Sequence, residues 1–214
     1  MRVVIAGGHG KVALRLERRL SEAGDQAVGV VRNPDHVPDV ERTGAQAVVL
    51  DLEHTTVDAL AEQLTGADAV VFAAGGGPDS GAARKDTVDR GAAVLLADAA
   101  EQAGVRRYVM VSSMGTDRAD PDSDDIFQVY LRAKRAADDE LRGRDLDWTI
   151  MHPGRLTDDT GTGRIQVGRL QRGAVTREDV AAALVAVLHD ERTIGKDFDL
   201  LNGDQPIEDA LAAL

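Results

Sequence analysis

Tyr130 and Lys134 stand four residues apart in YLRAKRAADDEL. On a helix this spacing puts both side chains on one face, where they can meet one bound group. A lysine cation beside a tyrosine favours the phenolate, which poises the phenol as acid or base for a carbonyl. Upstream, Ser112 and Ser113 close an apolar run in VMVSSMG, where a hydroxyl would face the same ligand. The serines can equally cap a turn, and Tyr130 can be a half-buried helix residue. Taken as chemistry, Tyr130, Lys134 and Ser112 are candidate catalytic residues for proton transfer at a carbonyl.

A second group of residues has the types needed to hold a dinucleotide. Gly7-Gly8-His9-Gly10-Lys11-Val12-Ala13 follows the apolar run Arg2 to Ala6 and opens a helical pattern. A glycine turn lets the backbone approach a pyrophosphate, and the helix behind it aims free amides and its positive dipole end at the same anion. Glycines at 7 and 10 with alanine at 13 depart from G-x-G-x-x-G, yet keep the tight turn and a small third residue. Gly7, His9, Gly10, Lys11 and Val12 are therefore candidate cofactor contacts. Arg32 ends the next apolar run, Val28 to Val31. An acid there would bond the ribose 2′-hydroxyl of NAD, whereas arginine suits a 2′-phosphate, so NADP is expected before NAD. A solvated surface arginine is the alternative. Asn33 and Pro34 add a polar contact and a turn. Phe72-Ala73-Ala74-Gly75-Gly76-Gly77 supplies small residues against which a cofactor could lie, or a flexible loop.

These groups need a scaffold that brings them to one edge. Apolar runs at Arg2 to Ala6, Val28 to Val31, Ala45 to Leu50, Ala69 to Ala73, Arg107 to Val111 and Trp148 to Met151 read as strands. Helices are predicted at Lys11 to Ala23, Val57 to Leu64, Lys85 to Ala103, Phe127 to Arg142 and Arg177 to His189. Such alternation implies an α/β fold, a doubly wound, mostly parallel sheet with helices on both faces. Right-handed crossovers then gather the strand-to-helix loops on one edge, where a ligand must sit. Gly115 to Asp125 and Arg155 to Gly173 are expected to be loops, the second capping a pocket. The acidic stretch TDRADPDSDD lacks the glycine and terminal glutamate spacing of a calcium loop. One domain over residues 1–214 accounts for the whole pattern.

Composition narrows the partners. A net charge of −12 argues against nucleic acid or an anionic membrane, either of which needs a basic patch. Positive potential for a phosphate cofactor must then be local, at the first helix terminus and Arg32. No run approaches the roughly 18 apolar residues of a membrane span, and a first strand starting at Arg2 leaves no room for a signal peptide, so a cytoplasmic protein is expected. There is no cysteine, and the histidines at 9, 36, 54, 152 and 189 have no paired ligand spacing, so no metal is expected. The expected partner is a small-molecule substrate, and the chain a monomer or homodimer.

With these residues assembled, the chain resembles the short-chain dehydrogenase/reductase superfamily. Specifically, it is similar to the atypical, single-domain NAD(P)-binding branch related to flavin reductase/biliverdin reductase B and to sugar-epimerase-like proteins. The resemblance spans nearly the whole chain, on IAGGHGKVA, VVRNP, Asp51-Leu52, FAAGGG, VSSMG, YLRAKRAADDEL, LDWTIMHPGRLTD and TREDVA. It implies that Asp51 and Leu52 flank the adenine and that Ala73, Ala74 and Gly75 line the adenosine and ribose side. Tyr130 and Lys134 would reach the nicotinamide ribose, with Pro153 and Gly154 near the nicotinamide ring. His152 departs from the arginine common before this Pro-Gly pair, and reads as a second proton donor or as a structural histidine. The activity implied is NADP(H)-dependent hydride exchange with a small carbonyl, quinone-like or flavin-like substrate. Non-catalytic NADP sensing and epimerisation are the alternatives, and without a C-terminal sugar-nucleotide domain nucleotide sugars fit less well.

Overall fold

Strands covered by helices on both sides must be apolar on both faces, and the first half of the chain is written that way. The computed structural model describes residues 1–75, 77, 81 and 84–214. It opens with β1 (Arg2–Ala6), α1 (Lys11–Glu22) and β2 (Gln26–Val31), then α2 (Val37–Glu41), β3 (Gln46–Val49), α3 (Val57–Leu64) and β4 (Ala69–Phe72). A wide-turned π-helical segment, Lys85–Gly91, runs directly into α4 (Ala92–Ala103). There follow β5 (Arg107–Val111), α5 (Ile126–Arg142) and β6 (Asp147–Pro153). Last come β7 (Arg155–Thr157), β8 (Arg164–Gly168), β9 (Ala174–Thr176), α6 (Arg177–Leu188), β10 (Lys196–Asn202), β11 (Gln205–Pro206) and α7 (Ile207–Ala212).

The main sheet has the order β11-β8-β10-β6-β5-β4-β1-β2-β3, and is parallel from β10 to β3. Alternate residues of β1 divide the core. Val3 and Ile5 pack with Leu16 and Leu20 of α1 and Val180, Leu184 and Val187 of α6. Val4 and Ala6 face Leu60 and Leu64 of α3, Leu96 and Ala100 of α4 and Ala137 and Leu141 of α5. The chain winds outward from β1 to β3 and then returns to place β4 on the other side of β1. A crevice therefore opens at the carboxyl ends of β1 and β4, the switch point where α/β sheets bind ligands.

Arg155 to Gly173, expected to be a loop, instead contains β7 and β8. β7 pairs with β9 as a separate parallel ribbon, while β8 runs antiparallel to β10 and to β11. These short strands lack the long apolar run of a central strand, and their pairing is long-range. β10 and α7 were likewise not foreseen. Gly76, in the small-residue run after β4, lies outside the described residues.

Candidate active site

The glycine turn is built by contacts that only glycine permits. Gly7 has φ +86, and a Cβ there would fall 2.6 Å from Ala74 Cα in the loop after β4. The Gly10 amide donates to Gly7 O at 2.8 Å, which tightens the turn, and Gly10 then caps α1 with extended φ and ψ. No side chain caps α1 and no acid occupies its first turn. Its first amides, lacking intrahelical acceptors, therefore face the crevice. This is a cradle with the shape and polarity of a diphosphate site, and a nicotinamide dinucleotide fits it.

From this cradle a groove of about 750 Å³ runs past Ala73, Ala74 and Gly75 to Ser112, Tyr130 and Lys134. Gly10, Lys11 and Val12 line its start. Lys11 Nζ sits 2.8 Å from Asp158 Oδ2, and Arg177 reaches the same carboxylate at 3.0 Å. The sequence did not single out Arg177, whose side chain lines the groove from the first turn of α6. His9 turns to Asp39, with Nε2 at 2.7 Å, and stacks on His36 at 3.5 Å between ring centroids.

At the end of β2, Arg32 is 54% exposed and pairs with Glu53 Oε2 at 3.2 Å. Arg84 binds the same oxygen through Nε and an NH2 group at 3.1 and 3.0 Å, and Thr87 donates to Oε1. Two guanidiniums thus face one carboxylate. Asp51 accepts from the Glu53 amide and lies 3.0 Å from His54 Nδ1, while Leu52 packs partly into the core. Burial raises the Asp51 carboxyl, but the His54 contact and the Glu53 amide outweigh it and hold the pKa below the ordinary range.

Tyr130 and Lys134 share the groove, as their spacing predicted, but Lys134 has other partners. Its buried ammonium donates to Ala74 O at 3.3 Å and Val111 O at 3.1 Å, with Asp89 Oδ1 at 3.6 Å. It thereby ties the ends of β4 and β5 together. The cation over the Tyr130 ring is Lys85, 5.2 Å from the centroid, which also donates to Gly77 O at 2.6 Å. Lys85 and Asp89 come from the π-helical segment, and sequence periodicity carries no signal for it. Phe127 leans on Tyr130 at 5.9 Å.

Ser112 lines the groove, and its hydroxyl donates to Asp138 Oδ2 at 2.8 Å. α5 places a buried carboxylate behind the serine. His152 continues this network, with Nδ1 3.1 Å from Ser113 O and 3.8 Å from Asp138 Oδ2, and Nε2 2.9 Å from Asp197 Oδ1. Burial opposes the imidazolium, but Asp197 and Asp138 outweigh it and raise the His152 pKa. Asp138 is pushed up chiefly by burial. The geometry is that of a structural histidine between two aspartates, neither of which the sequence singled out.

Pro153, the last residue of β6, and Gly154 after it line a second cavity of about 720 Å³, walled also by Ser113, Met114 and Leu131. Phe127 lines both spaces. The two therefore share a wall residue at the start of α5, where Ile126 and Phe127 are 43% and 52% exposed. Asp179 ties the turn before β8 to β9 and β10. It accepts from the amides of Thr162 and Gly163 and from the Thr176 hydroxyl, and bonds Asn202.

A doubly wound sheet with a glycine cradle at its switch point and a second cavity beside it defines a dinucleotide-binding protein with room for a substrate. Residues 7–191 match the family model described as NAD(P)H-binding, and the chain belongs to that family. It is 33% identical over 216 residues to the uncharacterized sugar epimerase YhfK of Bacillus subtilis, covering all of both chains. Among solved structures, a Bacillus halodurans protein described provisionally as an NAD-dependent epimerase/dehydratase matches with TM-score 0.93, 38% identity and full coverage of both chains. The oxidoreductase ylbE of Lactococcus lactis matches with TM-score 0.89 and 31% identity, over 100% of this chain and 96% of that one. The protein is thus an NAD(P)H-binding Rossmann-fold member of an oxidoreductase and epimerase-like family. Among the described residues no helix is long and apolar enough to cross a membrane.

Proposed function

We propose that the protein is an NADP(H)-dependent oxidoreductase acting on a small carbonyl, quinone-like or flavin-like substrate. The observation that carries this reading is that the groove lined by Tyr130 and the second cavity share Phe127 as a wall residue. The amides of α1, flanked by Lys11 and Arg177, would hold the diphosphate, and Ala73 to Gly75 would lie along the adenosine half. Bound there, the reduced nicotinamide supplies a hydride. Tyr130 donates its phenolic proton to the substrate oxygen and regains one from solvent, so one carbonyl, one hydride and one proton give one alcohol. Ser112, bonded to Asp138, acts as a positioning residue, and Lys134 fixes the groove wall. Arg32 and Arg84 both reach Glu53 at the end of β2, two guanidinium forks that could turn to a 2′-phosphate, which supports NADP over NAD. With a net charge of −12, the partner is a small molecule rather than nucleic acid or a membrane.

Two variants test this function. Tyr130→Phe should lose at least about 100-fold in NADPH oxidation against a panel of carbonyl, quinone and flavin acceptors while keeping NADP affinity. Unchanged turnover would remove Tyr130 from the mechanism, and NADP binding without turnover by the native protein would point to a sensor. Arg32→Ala should weaken NADP and leave NAD unaffected by calorimetry. Equal loss for both would refute the 2′-phosphate assignment.

A further inference from the structure

The second cavity carries three arginines, Arg118, Arg155 and Arg172, in a protein of net charge −12. Many arginines elsewhere meet carboxylates, while Arg2, Arg107, Arg132 and Arg164 bind backbone carbonyls. Arg15, Arg18 and Arg19 share Glu178, Arg142 and Arg169 share Asp197, and Arg144 spans Asp98 and Glu101. Among the described residues no carboxylate pairs with Arg155 or Arg172, and Arg118 reaches its neighbour Asp117 at 3.5 Å. So acidic a surface could readily have neutralised these cations, and here it does not.

Their placement is built by the fold. β7 and β9 pair in register, Arg155 opposite Ala174, and the Arg155 amide donates to Gly173 O at 3.0 Å. Arg155 thus enters from β7 and Arg172 from the bend just before β9, while Arg118 comes from the turn after β5. Between them the wall is apolar, formed by Met114, Phe127, Leu131 and Pro153. A guanidinium fork matches the geometry of a carboxylate or phosphate, and the apolar wall beside these three exposed arginines suits an apolar body.

We propose that this cavity selects an anionic substrate, an acceptor with an apolar body and a carboxylate or phosphate group held by Arg155 and Arg172, with Arg118 adding attraction at the β5 side. The inference deepens the oxidoreductase reading and rests on it for the identity of the cavity as the substrate site. Local positive charge within an acidic protein also draws such a molecule to this opening rather than elsewhere on the surface.

The test uses the full chain with saturating NADP+ and a shape-matched probe pair, 2,6-naphthalenedicarboxylate and its neutral dimethyl ester, titrated by fluorescence. The diacid should bind at least about tenfold more tightly than the diester. In Arg155→Gln/Arg172→Gln that preference should collapse to about twofold or less, with the NADP dissociation constant unchanged. Arg155→Lys should retain an intermediate preference, since the charge remains and the fork is lost. Turnover gives a second readout: 4-carboxybenzaldehyde should show a lower KM than benzaldehyde in the native protein and lose that advantage in the double variant. Failure of the diacid to bind at millimolar concentration, equal binding of both probes, or a preference that survives the double variant would overturn the proposal. Loss of NADP binding by the native protein would instead overturn the oxidoreductase reading.

Discussion

Glu17 lies wholly buried beneath the glycine turn, and neither carboxylate oxygen has a hydrogen-bond partner. Its carboxyl fills the space that two glycines leave open. A Cβ at Gly29 would fall 2.5 Å from Glu17 Oε1, and one at Gly8 would fall 3.0 Å from it. Burial pushes the Glu17 pKa from 4.5 up to about 8. The native state therefore holds a proton that the unfolded chain releases above its ordinary pKa. Stability from the neutral form is complete below pH 4.5 and declines as pH rises towards 8. At ~1.4 kcal/mol per tenfold in proton affinity, the whole passage is worth ~5 kcal/mol, of which ~3 kcal/mol is lost by pH 7. Glu17→Gln keeps a neutral side chain of the same size at every pH. It should match the native protein within about 1 kcal/mol at pH 5 and exceed it by ~3 kcal/mol at pH 7. Urea denaturation at pH 5, 6, 7 and 8, followed by the single tryptophan, Trp148, measures this directly. Subtracting the two proteins removes the general repulsion of so acidic a chain, and parallel pH profiles would refute the buried neutral carboxyl.

Three further perturbations probe the cradle and its supports. Gly7→Ala must accept φ +86 and a clash with the Ala74 backbone, so we expect an affinity loss of at least about 100-fold for NADP and NAD alike, read by calorimetry. Binding within threefold of native would show that the turn can rearrange. Lys134→Met removes donors to Ala74 O and Val111 O and the ammonium facing Asp89, which should cost about 2–4 kcal/mol in denaturant unfolding and weaken NADP, whereas an unaltered transition would place the lysine outside the groove wall. Asp179→Ala orphans the Thr162 and Gly163 amides and should destabilise by about 2–4 kcal/mol near pH 7. Burial raises the Asp179 carboxyl, but those amides, Asn202 and Thr176 outweigh it and lower the pKa. Its contribution is therefore present above the ordinary 3.8 and fades as pH falls through the lower native value, so native and Asp179→Ala melting temperatures should converge in acid.

Local patterning determined the first six strands, the glycine turn and the helices that flank it, because apolar periodicity and turn chemistry act over a few residues. α3 is predicted at Val57 to Leu64 and found there, and α1 differs by a single residue at its end. The same local logic placed Tyr130 and Lys134 on one helical face. What a side chain meets across the crevice is a different matter, since those partners lie scores of residues away in sequence. Only the folded chain gave the Ser112 proton to Asp138, put Lys85 over the Tyr130 ring, and set Lys134 on the backbone of two strands. It likewise turned Arg155 to Gly173 from a loop into paired strands, because a three- or five-residue strand is stabilised by the neighbour it finds and not by its own composition. Sequence thus specified the dinucleotide cradle through short-range backbone geometry, and tertiary contacts decided which charges line the groove and the second cavity.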